Sequence, residues 1–496
     1  MDSIAKFWSI VIILATAIYS VWLFEHLSGF FGAVLFVCEV LMSSTALIFI
    51  YNHWTQQHTF ETKRRATGTL DVFVTVVNEP LSIFTPTIEA AANIKYKNKK
   101  LYILDDGGRE DVQKIASFYG ATYISRKERT YRKAGNLNCG LAHSTSEYIL
   151  VLDADQIAVP MIAHDLLGYF KNDPKIAIVS TRQQFDVPEN DFNHDILFYG
   201  HAQAGKNADN AAISCGSGVF YRRSALLKIG GFQIWNIVED LYTSYVLHGA
   251  GYRSIYINKP YTIGTAPTDI PMIYKQRGTW ALDTLRIFFK KSPLFERNLS
   301  FRQKMHYIEM AWTYIVPALT VPILFLLPAI GLFWNIHMVA DERTYFLYRF
   351  SLLGLIYLFF YRVNDYSFSS TQYWTALSFV FLRSFLKSIF TNDMRYTVTD
   401  KSDKVAKTEI QRILPHLAYI FINLSALAWY FSHAGTTISP LFTAMNGIWI
   451  LFMCLCFFPI IKRGLFPHQI RLQEHTFSQF SLEEPLNLLK YRTKTT

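Results

Sequence analysis

Six stretches of the chain are each long and apolar enough to cross a bilayer, and no other feature limits the fold as strongly. A span needs about 20 apolar residues, because each helical residue rises about 1.5 Å and the hydrocarbon core is about 30 Å thick. The six run from Phe7 to Phe24, Phe30 to Tyr51, Ile308 to Trp334, Tyr345 to Tyr361, Ile410 to Tyr430 and Leu441 to Ile461. The first is too long for a cleaved signal peptide, has no small-residue cleavage site and leads almost directly into the second. A chain of 496 residues, 51% of them hydrophobic and 16% aromatic, is therefore expected to be a multi-pass membrane protein.

Lys and Arg accumulate on the cytoplasmic ends of spans. The three short loops Glu25–Gly29, Asn335–Thr344 and Ser432–Pro440 carry a single basic residue, Arg343. The opposite ends carry Lys63, Arg64, Arg65, Lys290, Lys291, Arg297, Arg302, Lys304, the stretch from Arg383 to Arg412, Lys462 and Arg463. The expected placement is a plasma (inner) membrane protein with both termini and the large central region in the cytosol. This distribution accounts for most of the formal charge of +10, so no nucleic-acid partner is expected and membrane lipids are. The five cysteines show neither a disulfide framework nor a CxxC metal pattern. Thr371–Phe390 is apolar but contains Arg383 and Lys387, and Trp374, Leu377, Phe381, Phe385 and Ile389 recur at helical spacing. It reads as an amphipathic helix in the interface, as does Trp280–Phe289.

Between Gly68 and Thr279 short β-rich runs alternate with polar turns and helical segments, the pattern of a mostly parallel α/β sheet. Asp71–Val77 ends at Asn78-Glu79-Pro80, Leu101–Leu104 at Asp105-Asp106-Gly107, and Tyr148–Leu152 at Asp153-Ala154-Asp155. Ligands of open α/β sheets bind at the carboxyl ends of the strands, so these turns are expected to meet at one crevice. Asp105 and Asp106 alone also suit a structural turn. Asp153 and Asp155 are alternate carboxylates that suit a hard cation, Mg²⁺ or Mn²⁺, which also grips phosphate oxygens. Glu239 and Asp240 precede a helical run and read either as a helix-start device or as a general base. Lys133 reads as a diphosphate partner or a solvated loop cation.

Taken in order, these residues resemble the processive family 2 glycosyltransferases, cellulose synthase in particular. The resemblance rests on Asp71–Glu79, Leu104–Arg109, Lys133–Asn136, Asp153–Asp155, Ser214–Ser217, Gly230–Phe232, Val238–Asp240, Gln276–Trp280 and Tyr396–Lys401. It implies a GT-A-type domain inserted between transmembrane helices, a UDP-sugar donor, a nascent polysaccharide acceptor, inversion at the anomeric carbon and a polymer channel. By position, Asp105, Asp106, Lys133, Asp153, Gln276 and Arg277 would bind the nucleotide sugar. Asp153 and Asp155 would hold the metal, and Asp240, beside Glu239, would be the base. Cys215, Gly216 and Ser217 would line the acceptor site, and Trp280 would stack on the terminal sugar. Val398, Thr399 and Lys401 fall in a stretch similar to the gating loop that closes over the nucleotide in cellulose synthases.

The implied layout is two spans in 1–60, a catalytic domain in 68–279, interface helices in 280–307, two spans in 308–361, an interface helix in 370–392, the gating loop in 393–405, two spans in 408–461 and a cytosolic tail in 462–496. Three features depart from the family pattern. Thr279 stands where arginine is usual, Val238 replaces a threonine, and the tail has no room for a PilZ domain, so in-chain control by cyclic di-GMP is not expected. The expected activity is polymerisation of glucose from UDP-glucose into a β-glucan, β-1,4 first and β-1,3 or mixed linkage next. A hyaluronan- or chitin-type synthase, a non-processive glycolipid synthase and a non-enzymatic transporter are the rivals. The export partner is not legible.

Overall fold

The structure is a computed structural model that describes residues 3–54, 62, 64–185, 197–267, 269–364, 366–391, 409–433 and 439–466. Among the described residues six helices are long and apolar enough to span a membrane: Ser3–Glu25, Gly29–Trp54, Phe301–Trp334, Glu342–Asn364, Ile410–His433 and Pro440–Leu465. All six expected stretches fall on them.

The third span begins seven residues before its apolar stretch. Ser300 and Gln303 form a capping box, in which each side chain satisfies a backbone N–H that the first turn leaves free. One continuous helix of 34 residues follows, about 50 Å long at 1.5 Å per residue. That exceeds the bilayer core, so its polar first turns project beyond it. The expected interface helices of 280–307 resolve into the Ile270–Lys290 helix, a short turn at Pro293–Phe295 and this projection.

Between the second and third spans lies an eight-stranded sheet. Its strands are β1 (Leu70–Val76), β2 (Lys99–Asp105), β3 (Thr122–Ser125), β4 (Tyr148–Asp153), β5 (Gln156–Ala158), β6 (Ile176–Phe185), β7 (Val219–Arg222) and β8 (Arg253–Gly264). The order is β3-β2-β1-β4-β7-β6-β8-β5. The half from β3 to β4 is parallel. Beyond β4 the sheet turns mixed, with β7 antiparallel to both neighbours and β5 antiparallel to β8.

Strands covered on both faces read as unbroken apolar runs rather than alternating ones, and β1 is buried along its whole length. Leu70, Val72, Val74 and Val76 join one core with Ile103 and Leu150, while Phe73 joins the other with Leu104, Ile149 and Val151. Asp71, the one charge in β1, is buried and takes the hydroxyls of Ser144 and Ser146 at 2.6 and 2.8 Å.

The expected interface helix over 370–392 is two helices, Phe368–Ala376 and Ser378–Phe390, that break at Leu377. The middle of its apolar stripe faces protein, since Leu377 and Phe381 pack with Ile273, Ala281 and Leu285 and with Ala311 and Ile315 of the third span, while Ile389 at its end is exposed. Gly278 permits the approach: a β-carbon there would stand 3.2 Å from Val380, and the Ser384 hydroxyl donates to its carbonyl at 2.9 Å.

Candidate active site

The parallel half of the sheet brings the strand-end acids together. In register, Asp153 lies opposite Thr75 and Asp105 opposite Val76, so β4 and β2 deliver their last residues to either side of the end of β1. The Glu239–Gly249 helix brings two more acids, Glu239 and Asp240, in its first turn. Negative charge there is favoured by the helix dipole.

Lys133 links two of these acids, Asp153 and Glu239. Its ammonium lies 2.7 Å from Asp153 Oδ1 and 3.2 Å from Glu239 Oε1, and donates to the Gly216 carbonyl at 2.8 Å. Burial works against the charged amine, but Asp153 and Glu239 outweigh it and hold its pKa above the usual lysine value. Gly216 adopts φ +79°, a conformation that favours glycine, and a β-carbon there would stand 2.7 Å from Asp240 Oδ2. The Ser214–Ser217 turn thus lies directly against the Asp240 carboxylate.

Asp240 is buried, and its Oδ1 accepts the Leu241 N–H at 2.6 Å. Burial first, and the adjacent Glu239 next, raise its carboxyl to about 8, against the opposing pull of Lys133. A carboxylate tuned toward neutral pH suits a general base.

The remaining sites expected from sequence divide. Ser217 Oγ accepts the Asp153 N–H at 2.9 Å, and Gln183 donates to the carbonyls of Cys215 and Ser217, which fixes that turn. Asp105 is wholly buried: one oxygen accepts the Gly107 N–H, the other the Arg109 N–H and the Tyr123 hydroxyl. It shapes the turn that carries Asp106, and Asp106 is held in two contacts by Arg126 at 2.6 and 2.7 Å.

Arg277, expected at the nucleotide sugar, packs against two aromatic rings. It is buried, with its guanidinium carbon 4.4 Å from the Trp280 ring centre and 5.0 Å from that of Tyr373, so it props the tryptophan. Gln276 Oε1 is buried without a hydrogen-bond partner among the described residues. Val398, Thr399 and Lys401 lie outside the described residues.

Asp153 and Asp155 suit the metal that the sequence suggested. Both donors are hard oxygens; Asp153 Oδ1 is met by Lys133, and Asp155 Oδ2 by the Thr265 hydroxyl at 2.5 Å. Among the described residues no group of three or more His, Cys, Asp or Glu side chains makes a ready cage. Mg²⁺ commonly takes one or two carboxylates and completes its shell with substrate phosphates and water, which two acids at a strand end allow.

Asp240 also borders a cavity of about 120 Å³ that Ser214, Cys215, Trp280, Asp283, Lys206, Glu309 and Trp374 help to line. Phe49, Thr313 and Trp374 line both this cavity and a second, of about 780 Å³, among the spanning helices. The second wall includes Phe325, Tyr357, Trp449 and the buried pair Glu39–Arg349.

Asp283, Lys206 and Glu309 are site-lining residues that the sequence reading missed. Asp283 had a signal: it falls three residues after Trp280, on the apolar stripe of a helix where a carboxylate is out of place. Lys206 and Glu309 had none, because only the tertiary fold pairs them.

Two family models match consecutive parts of the chain, glycosyl transferase family 2 over residues 71–230 and cellulose synthase over 227–471. The cellulose synthase 1 catalytic subunit (UDP-forming) of Komagataeibacter xylinus is 29% identical over 82% of this chain and 57% of its own length. The cellulose synthase catalytic subunit (UDP-forming) of Pseudomonas fluorescens (strain SBW25) is 30% identical over 85% of this chain and 60% of its own. Cellulose synthase 1 of Novacetimonas hansenii is 30% identical over 73% of this chain and 24% of its own. The chain thus spans from about a quarter to three fifths of the length of these relatives. Among solved structures, the mannosyltransferase PcManGT from Pyrobaculum calidifontis, in complex with GDP-Man and Mn²⁺, superposes with a TM-score of 0.54 at 16% identity, over 73% of this chain and 100% of that one. That likeness is one of fold.

Proposed function

The chain belongs to the family 2 glycosyltransferases of the cellulose synthase type, and from that premise we propose that it is an inverting, processive hexosyltransferase that polymerises glucose from UDP-glucose into a β-glucan, β-1,4 linked, and moves the product across the plasma membrane. The observation that carries this reading is the track of cavities. It starts at Asp240 and Trp280 and shares three lining residues with the larger space among the spanning helices. Two cavities that adjoin at Phe49, Thr313 and Trp374 suit a product handed from the base toward the spanning helices better than short products released to the cytosol.

In the proposed reaction the acceptor's terminal sugar lies on the face of Trp280, whose ring matches the apolar CH face of a pyranose. Asp240 takes the proton from the acceptor hydroxyl as that oxygen bonds to the donor's anomeric carbon. The bond from that carbon to the diphosphate breaks on the opposite face, inverts the configuration and leaves UDP. Asp153 and Asp155 would hold Mg²⁺ or Mn²⁺, and the cation would offset charge on the departing diphosphate; PcManGT, of similar fold, was solved with Mn²⁺. Lys133, already against Asp153 and Glu239, stands where a diphosphate oxygen would meet a cation. The catalytic domain and both termini face the cytosol, where UDP-sugars are found.

Incubation of the purified protein with each radiolabelled UDP-sugar, followed by linkage analysis, tests the reading. High-molecular-weight β-glucan from UDP-glucose is expected; polymer from N-acetylated donors alone would sink it.

The pH profile follows from Asp240. Its carboxyl must be ionised to accept a proton, and burial with Glu239 raises it to about 8, so the active form accumulates as pH rises. kcat/KM, which reports groups of the free enzyme, is expected to rise about tenfold per pH unit below that value and to level off above it. A profile flat from pH 6 to 9 contradicts the assignment.

A further inference from the structure

The cavity between Asp240 and the third span holds a carboxylate that the steps above do not use. Asp283 follows Trp280 by three residues on the Ile270–Lys290 helix, so the two side chains share a face. Asp283 is fully buried and lines the cavity together with Trp280 and Asp240. Its two oxygens differ. Oδ2 accepts the Val238 N–H at 2.5 Å and so fixes the residue that leads into Glu239 and Asp240. Oδ1 is buried with no hydrogen-bond partner among the described residues.

A buried acceptor without a donor is rare in folded proteins and calls for an explanation. A pyranose supplies one here. A ring stacked on an indole directs its hydroxyls outward from its rim, and a carboxylate one helical turn away lies beside that rim. Asp153 and Asp155 do not line this cavity, so the donor's diphosphate is not its natural occupant. We propose that Asp283 Oδ1 accepts a hydrogen bond from a hydroxyl of the acceptor sugar stacked on Trp280, and thereby sets which acceptor hydroxyl faces Asp240. The inference rests on the acceptor reading of Trp280. It makes Asp283 a positioning and specificity residue, one that acts on the orientation of the acceptor and leaves proton transfer to Asp240.

Asp283→Asn separates this role from a structural one. The amide oxygen can still take the Val238 N–H, while its NH₂ replaces the free acceptor oxygen. The full-length protein is assayed for two outcomes of the same donor, transfer to sugar and hydrolysis to free glucose. The ratio of transfer to hydrolysis is expected to fall about tenfold, as for loss of one buried hydrogen bond, with the KM for UDP-glucose within about twofold. Asp283→Ser, smaller and uncharged, is expected to shift the ratio in the same direction. An unchanged ratio in both variants, or transfer and hydrolysis falling in parallel, would make Asp283 a brace for Val238 and overturn the proposal. A wild-type protein that transfers sugar from no UDP-sugar would instead sink the glycosyltransferase reading, and this inference with it.

Discussion

Asp240→Asn is expected to lower polymer formation by about 10²- to 10⁴-fold, the range that a positioned general base contributes, with UDP affinity little changed. The change is nearly isosteric. An asparagine oxygen can still accept the Leu241 N–H that holds Asp240 Oδ1 at 2.6 Å, and nothing requires the turn at Gly216 to move. What is lost is the ability to take a proton. Glu239 is the control, because it is adjacent and shares the first helical turn. Its carboxylate is committed to Lys133 at 3.2 Å, so Glu239→Gln should loosen the lysine and weaken donor binding more than it slows the chemical step. The two variants should therefore separate in kcat and KM. Synthesis by Asp240→Asn at the wild-type rate, with Glu239→Gln inactive, would transfer the role of base to Glu239.

The elements visible in the sequence were those whose signal is local. Spans register as windows of hydropathy, and the carboxylates at Asp105 and Asp153 register because a buried apolar run stops at each. The first turns of the third span were expected as a separate interface helix, and their continuity with the span did not register. Arg302, Gln303, Lys304 and His306 are polar, and what makes them helical is the Ser300 capping box and a tertiary network. The switch from parallel to mixed sheet beyond β4 was likewise hidden, since the direction of a strand depends on which strand it pairs with, and β7 pairs with β4 and β6 across long stretches of chain.

Within the site, Asp153 and Asp240 could be placed from sequence because one strand end and one helix start define them. The partners of Asp105 and Asp106 could not. Tyr123 and Arg126 come from β3 and the turn after it, and only the register of β2 with β3 brings them alongside. Arg277 shows the same limit. A motif fixes its place in the chain, but not that the ring of Tyr373, some hundred residues later, packs on the guanidinium beside Trp280.

Lys206→Met is expected to destabilise the protein by about 3–5 kcal/mol, the usual cost of removing one partner of a buried ion pair, read as a lower unfolding midpoint in detergent. Lys206 and Glu309 side chains are only 1% and 6% exposed and meet at 2.7 Å. Methionine fills the space of the lysine stem but leaves the Glu309 carboxylate with the Asn52 amide at 2.6 Å and His306 at 3.3 Å, neither of which carries a fixed positive charge. Adding Glu309→Leu should restore part of the loss, because an apolar pair of similar volume can match a buried ion pair, though Asn52 then loses its acceptor. A single variant with a wild-type midpoint would mean that the pair is hydrated and weak. The position of this pair gives it a second role. Asn52 ends the second span, Lys206 belongs to the catalytic domain, and Glu309 begins the membrane part of the third span. His306 extends the contact to Asp209 at 2.9 Å, and Arg302 reaches the same carboxylate at 3.0 Å. The network therefore holds the domain that carries Asp240 in register with the helices that wall the passage. The proposed reaction depends on that register: if the domain shifted by even one sugar's width, the proposed acceptor end would leave Trp280 and Asp240 would face water in place of an acceptor hydroxyl.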